Sequence, residues 1–326
     1  MEGEERVKIL LASPIDPGTV EVLSESYDVV RPAETTPEAL KAAIVDRDAV
    51  VLRSGVQLSA DVLSAAPGLR LLVRAGAGLD NIDLAQARAQ GLRVVKIPGM
   101  SAPPVAEFTF ALLLSLARKV TLADRLLREG RWPKPSLGGP LLHGKTLGIV
   151  GAGNIGGLVG QMGAAWGMRA IGCVANPNDT VAQQLLGRGV RLTGFDEVLT
   201  TSDFLCLHTP LDESTRHLIG PAALSRMKPG SLLVNVARGG VVDEAALLDA
   251  LTQGDTVAGA ALDVHEIEGE GTRSRFAEMD NVVLTPHIGA MAVDSQRLIG
   301  ERIVELVQAY DNGKLDEEIR DGEHVL

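Results

Sequence analysis

Short apolar runs alternate with amphipathic stretches along the first hundred residues. Segments 7–11, 28–30, 49–52, 71–73 and 94–97 are rich in valine, isoleucine and leucine and have the length of strands. Between them, residues 19–25, 37–45, 59–66 and 82–90 read as helices. Ser59 is placed to cap the third, and Asp80-Asn81 to cap the fourth. Apolar strands that alternate with helices predict βαβ units, hence a parallel sheet covered on both faces. The alternation resumes at Lys145, with strands expected at 147–150, 169–174, 204–207, 232–236, 257–262 and 282–284 and helices including 155–166 and 243–253. Between the two series, residues 104–129 predict one long helix. Its first half is apolar nearly all round, which predicts burial. Residues 130–144 are rich in glycine and proline and read as a loop. A helix over 293–310 and an acidic tail close the pattern.

Composition narrows the function classes. A chain of 326 residues fits about two domains, and 45% apolar with 22% charged residues is ordinary for a globular protein. A formal charge of −11 argues against nucleic acid or an anionic membrane as partner. With 3% aromatic residues there is little to build a base-stacking platform. The two cysteines, Cys173 and Cys206, make neither a disulfide framework nor a zinc site, and both read as core thiols in strands. No His/Cys/carboxylate cluster has metal-ligand spacing. Residues 1–6 lack an export signal, and the longest apolar stretch, near 108–117, is too short to span a bilayer. The expectation is a soluble, cytoplasmic protein.

Lys145–Gly156 carries the strongest local signal. Gly151, Gly153 and Gly156 follow an apolar strand and open a helix, with the spacing of a dinucleotide-binding turn. Gly151 permits the turn, Gly153 admits a pyrophosphate close to the backbone, and Gly156 lets helix and strand pack. The diphosphate then sits on free amides at the helix N-terminus. An acid is expected at the end of the next strand to hold the ribose, but Val174 and then Asn176 stand there. Nothing cationic replaces the acid, which favours NAD and leaves NADP open.

Three strand ends carry candidate chemistry. Arg238 follows one, Glu268 ends the acidic run after a second, and His287 follows a third. Loops at the carboxyl ends of parallel strands converge, so these residues can meet. An arginine offers a planar fork to a carboxylate, and a histidine near its own pKa can take a hydroxyl proton as a hydride leaves. A carboxylate beside that histidine would orient the ring and favour its charged form. Taken alone, each such residue is more often an ordinary surface or structural group. His143, His217, His265 and His324 are not placed for proton transfer, and His208 could line the cofactor crevice.

Taken together with Arg74–Asp83, Val105–Thr109, His208–Leu211, Met227–Gly230, Asn235–Asp243 and Thr285–Gly289, these motifs give the chain its resemblance to the D-isomer-specific 2-hydroxyacid dehydrogenases, over nearly its whole length. Within that family it resembles the phosphoglycerate dehydrogenases without their regulatory domain. The resemblance implies two doubly wound parallel-sheet α/β domains. A Rossmann cofactor domain (101–289) is inserted in a flavodoxin-like substrate domain (1–100 plus 290–326). It implies a homodimer with the helix near 105–129 at the interface, and an NAD(P)-dependent oxidoreductase acting on a small anionic 2-hydroxy or 2-oxo acid. Arg238, Glu268 and His287 match the family's catalytic residues. Asn154 and Ile155 match pyrophosphate contacts. His208, Thr209, Pro210, Val236, Ala237, Asp263, Gly289 and Ala290 match the cofactor's surroundings. Ser54, Gly55, Arg74, Ala75, Gly76, Ala77 and Gly78 match substrate-facing loops, where Arg53 and Arg74 could hold a second anionic group.

Three departures stand out: Val174 for the ribose-binding acid, Gly269 after Glu268 in place of proline, and Met100–Pro104 as a proline-stiffened hinge. They would suit an atypical acid such as a phosphonate analogue of phosphoglycerate. Two other readings stay open: a nucleotide-sensing corepressor-like binding protein, and an oxidoreductase acting on a one-carbon or phosphorus substrate.

Overall fold

Strands in this chain are runs of Val, Ile, Leu and Ala flanked by caps and turn residues, and the computed structural model, which describes residues 6–326, shows how they assemble. The chain divides into two units. The first takes in the residues up to Ser101 and Met291–Leu326, the second Ala102–Ala290. The breaks therefore fall one residue later than 100/101 and 289/290.

The first unit contains β1 (Lys8–Leu11), α1 (Pro17–Ser26), β2 (Asp28–Val30), α2 (Pro37–Ile44), β3 (Ala49–Leu52), α3 (Ala60–Ser64), β4 (Leu71–Arg74), α4 (Leu84–Ala89) and β5 (Arg93–Lys96). Its sheet has the order β2-β1-β3-β4-β5, and all its pairings are parallel. Alternate strand residues feed two cores: Leu10, Val50, Leu72 and Val94 on one face, Ile9, Val51, Val73 and Val95 on the other. Asp16, Thr36, Ser59 and Asp83 each cap a helix with a side-chain oxygen. The cap of α4 is thus Asp83 rather than Asp80-Asn81. Asn81 is buried instead, and its amide donates to the Arg53 and Val56 carbonyls.

The second unit contains α5 (Ala102–Ala117), α6 (Val120–Arg128), β6 (Thr146–Val150), α7 (Asn154–Ala165), β7 (Arg169–Cys173), α8 (Asp179–Gly187), β8 (Val190–Leu192), α9 (Phe195–Thr201), β9 (Phe204–Leu207), α10 (Pro221–Leu224), β10 (Ser231–Asn235), α11 (Glu244–Gln253), β11 (Val257–Leu262) and β12 (Val282–Leu284). Its seven strands run in the order β12-β11-β10-β9-β6-β7-β8, all parallel. Phe204 and Cys206 face one core while Leu205 and Leu207 face the other. Both cysteines are buried and free, and burial pushes the Cys206 thiol up to about 12.

Several expectations need correction. The helix expected over 104–129 is two helices, because Lys119 adopts a left-handed φ of 53° and ends the first. Pro103 and Pro104 lie in the first turn of α5, where a missing N–H is harmless, directly after the break between the two units at 101/102. The apolar stretch is also longer than it reads: Gly99–Ala117 is helical for 19 residues with mean hydropathy reaching 1.4, long and apolar enough to cross a membrane. Most of it (61%) is buried inside the protein, where α5 packs on α7 and on strands β10 to β12. The stretch read for an export signal lies outside the described residues, apart from Arg6.

The first unit is completed by α12 (Val293–Asp311) and α13 (Leu315–Glu318). The acidic tail is not a loose end. Lys96 donates to the Glu323 carbonyl and Val325 to the Val94 carbonyl, so the tail covers the β5 edge.

Candidate active site

Because every pairing in the second sheet is parallel, the residues after β6, β7, β9, β10, β11 and β12 all emerge at one edge. The chain runs outward from β6 to β7 and β8, then returns to β9 on the other side of β6, so the strand order reverses there. His208 after β9 donates its amide to the Val150 carbonyl at the end of β6, at 2.8 Å. A Cβ on Gly151 (φ 88°) would lie 2.7 Å from the His208 backbone. Glycine is therefore required both by the turn and by the close approach of the two strand ends.

The geometry fits a dinucleotide diphosphate. No atom stands within 4 Å of where a Cβ on Gly153 would be, so that backbone borders open space, and a Cβ on Gly156 would meet the Gly151 carbonyl oxygen at 2.4 Å. Asn154 and Ile155 begin α7, whose first turn has no side-chain cap. Both ring nitrogens of His208 are buried without a hydrogen-bond partner among the described residues, and burial pushes its pKa down to about 3, which keeps the ring neutral. Val174 and Asn176 follow β7, the first half-buried and the second exposed. Thr209 and Pro210 follow His208, and Val236 and Ala237 are buried at the end of β10.

Two of the three catalytic candidates meet. His287 Nδ1 lies 2.8 Å from Glu268 Oε2, and both side chains keep partial exposure, 27% and 35%. The other carboxylate oxygen, Oε1, accepts the His265 amide at 3.1 Å. Burial alone would raise the Glu268 pKa, but the hydrogen bond and charge of His287 outweigh it and hold the carboxyl below its ordinary value. Gly269 follows at φ 138°, a conformation closed to proline, so the departure from the family pattern changes the path of the chain.

His287 itself is held in a left-handed conformation (φ 55°) by a buried carboxylate. Asp263 Oδ1 accepts from the Thr285 hydroxyl and the Ile288 amide, and Oδ2 from the Gly289 amide, while the Asp263 carbonyl takes the His287 amide at 2.7 Å. Asp263, assigned to the cofactor by resemblance, thus first of all shapes the loop from Thr285 to Ala290. Arg238 follows β10 on a segment braced by Asn235, whose Oδ1 accepts from Ala237 and whose amide donates to the Arg238 carbonyl. Its Nη1 donates to the Ala237 carbonyl.

The remaining candidates belong to the first unit. Arg53, Ser54 and Gly55 follow β3, and Arg74 ends β4 ahead of Ala75–Gly78. Arg53 Nη2 lies 3.1 Å from the Met291 sulfur, no carboxylate pairs with it among the described residues, and burial lowers its pKa. Arg74 is buried, and its Nη1 donates to the Ala75 carbonyl.

Sequence reasoning passed over the support behind the pair. His265 Nε2 reaches the Thr285 carbonyl at 3.0 Å. Glu244 and Glu266 each accept the other's backbone amide, at 2.8 and 3.4 Å respectively. His217 Nε2 lies 3.0 Å from Glu266. The closeness of His265 and Glu266 to Glu268 in sequence is the available signal, but only the folded loops show which atoms meet, and His217 and Glu244 come from distant segments.

Residues 110–289 match the family model of the D-isomer specific 2-hydroxyacid dehydrogenase, NAD binding domain. The hydroxypyruvate reductase of Thermotoga maritima is 38% identical over 306 residues, 93% of this chain and 97% of that protein. The D-3-phosphoglycerate dehydrogenase of Mycobacterium tuberculosis is 40% identical over 300 residues, 92% of this chain but 56% of that relative, so the chain spans little more than half of its length. Among solved structures, the D-lactate dehydrogenase of Aquifex aeolicus complexed with NAD and lactic acid superposes with a TM-score of 0.86 at 30% identity, covering 98% of this chain and 99% of that one.

Proposed function

The chain belongs to the D-isomer-specific 2-hydroxyacid dehydrogenase family, with its NAD-binding domain in residues 110–289, and we propose that it interconverts a small D-2-hydroxy acid and the matching 2-oxo acid. The observation that carries this reading is the 2.8 Å contact between His287 Nδ1 and Glu268, placed at the same sheet edge as the glycine turn.

Each part has a chemical task. When bound on the Gly151–Gly156 turn and the Asn154 and Ile155 amides, NAD supplies the hydride acceptor. Arg238 binds the substrate carboxylate through its planar fork. Glu268 accepts from His287 Nδ1, which leaves Nε2 of the neutral ring as the base for the C2 hydroxyl proton. In reduction the same nitrogen returns that proton to the carbonyl oxygen. The neutral His208 adds no charge to this edge.

Arg53, which pairs with no carboxylate among the described residues, supports an anionic substrate. The full-length likeness to a hydroxypyruvate reductase supports a three-carbon 2-oxo acid, and the likeness to phosphoglycerate dehydrogenases supports a phosphorylated one. Exposed Val120, Leu127, Trp132 and Leu141, on α6 and the following loop, support assembly as a homodimer, which light scattering of the purified protein tests.

The assay is oxidation of NADH and NADPH with hydroxypyruvate, glyoxylate, pyruvate, 3-phosphohydroxypyruvate and its phosphonate analogue. NADH-dependent turnover of at least one supports the reading. NADH binding with no turnover of any of them overturns it in favour of a binding protein.

A further inference from the structure

Three segments bear the proposed chemistry, and one residue touches all three. The His265 amide donates to Glu268 Oε1 at 3.1 Å. Its ring Nε2 meets the Thr285 carbonyl at 3.0 Å, two residues before His287. A carbonyl only accepts, so Nε2 carries the proton. A Cβ on Gly239, next to Arg238, would lie 1.9 Å from the His265 carbonyl oxygen, so the Arg238 segment is pressed against the same residue. The ring's Nδ1 is buried and meets no partner, which leaves the link to Thr285 as the ring's only hydrogen bond among the described residues.

We propose that His265 is a positioning residue of the acid–base pair: its imidazole ties the turn that carries Glu268 to the strand end that carries His287. The proposal rests on the proton-transfer role given above to His287. The next residue anchors the turn from the other side. Glu266 donates its amide to Glu244 at the start of α11, and Arg275 lies 3.4 Å from Glu244 and 3.6 Å from Glu266. With that side fixed, the imidazole link sets how far Glu268 stands from His287. Glu268 is held below its ordinary pKa by the hydrogen bond and charge of His287 and, after these, by the amide and charge of His265, so variants that equally lack the imidazole charge must be compared with one another to read whether Glu268 and His287 still meet.

The test uses three substitutions in the full-length protein. His265→Phe keeps the flat ring and removes the donor. His265→Asn keeps an amide that cannot reach Thr285. His265→Gln places an amide nitrogen where Nε2 stood. With hydroxypyruvate and NADH, the Phe and Asn variants are expected to lose tenfold or more in kcat with little change in KM. The Gln variant is expected to stay within about threefold of the parent. Carbon-13 NMR of the glutamate carboxyls, with Glu268→Gln for assignment, should show the Glu268 titration moving further up in the Phe variant than in the Gln variant, both of which lack the imidazole charge. A Phe variant with parental rate and the Glu268 titration of the Gln variant overturns the proposal. So does an equal loss in all three variants with the same Glu268 titration in each, which would mark a structural role only. His287→Ala run in parallel separates the two levels: if it keeps the parental rate, the acid–base reading itself fails, whatever His265 does.

Discussion

Two hydrogen-bonded carboxylates, one in each unit, are used in opposite ways. In the first unit the Arg302 side chain is fully buried (0% exposed) and bonds Glu323, Glu305, Glu318 and the Glu318 carbonyl. Glu323 is 7% exposed. Burial would raise the Glu323 pKa, but its bonds to Arg302 and to the Arg320 amide hold it below the ordinary value. Every donor of this guanidinium is used, and the product is a docked tail that closes a sheet edge. In the second unit the Glu268–His287 pair keeps about a third of its surface in water, and only Nδ1 of the ring is engaged by its carboxylate. A saturated pair holds structure, whereas a pair with one nitrogen to spare can exchange a proton. The difference lies in how many partners each group has left and in how much water reaches it.

The comparison breaks most visibly at His287. His287→Ala should lower turnover by about 10²- to 10⁴-fold while NADH binding, followed by fluorescence, stays near parental. Replacing the structural cation should do the reverse. Arg302→Met leaves Glu323 buried and unpaired, which costs about 3–5 kcal/mol, read as a lower Tm with the rate at 25 °C unchanged.

Acid separates the two pairs more finely. Both carboxylates have folded pKa values below the ordinary 4.5. Each therefore contributes stability that is fully present above pH 4.5 and lost as pH falls through its lowered folded value. Denaturant unfolding at pH 6 and at pH 3.5 should show the Glu323→Gln penalty shrinking on acidification. Glu268→Gln should show a smaller penalty with the same sign, because solvent screens a pair that is a third exposed. The smallest effect is expected at Gly269, where φ 138° admits glycine. Gly269→Ala should strain the turn by about 1 kcal/mol and lower kcat a few-fold through Glu268.

The same contrast explains what could be read from the chain. Apolar runs that repeat at strand spacing gave the two sheets, and the glycines at 151, 153 and 156 gave the cofactor turn, because burial and close approach restrict residue type position by position. The β8 strand is only three residues long with Arg191 exposed, so its pattern carried no signal. The break at Lys119 depends on one backbone angle that lysine does not advertise. Within the site, Glu268 and His287 were legible as types at strand ends. Asp263 as the brace of the His287 loop was not, because its three donors come from Thr285, Ile288 and Gly289, more than twenty residues away. The Arg302 cluster was equally silent, since two of its partners, Glu318 and Glu323, lie in a tail that reads as a solvated acidic run.

The account turns on His287 and Glu268 acting as one unit, and a double-mutant cycle on kcat tests this most directly. With hydroxypyruvate and NADH at pH 7, Glu268→Gln alone should lose about 10- to 100-fold, and His287→Ala alone considerably more. The double variant should be no slower than His287→Ala alone, because the carboxylate works only through the imidazole. Losses that multiply in the double variant would mean that the two groups act independently, and would contradict it.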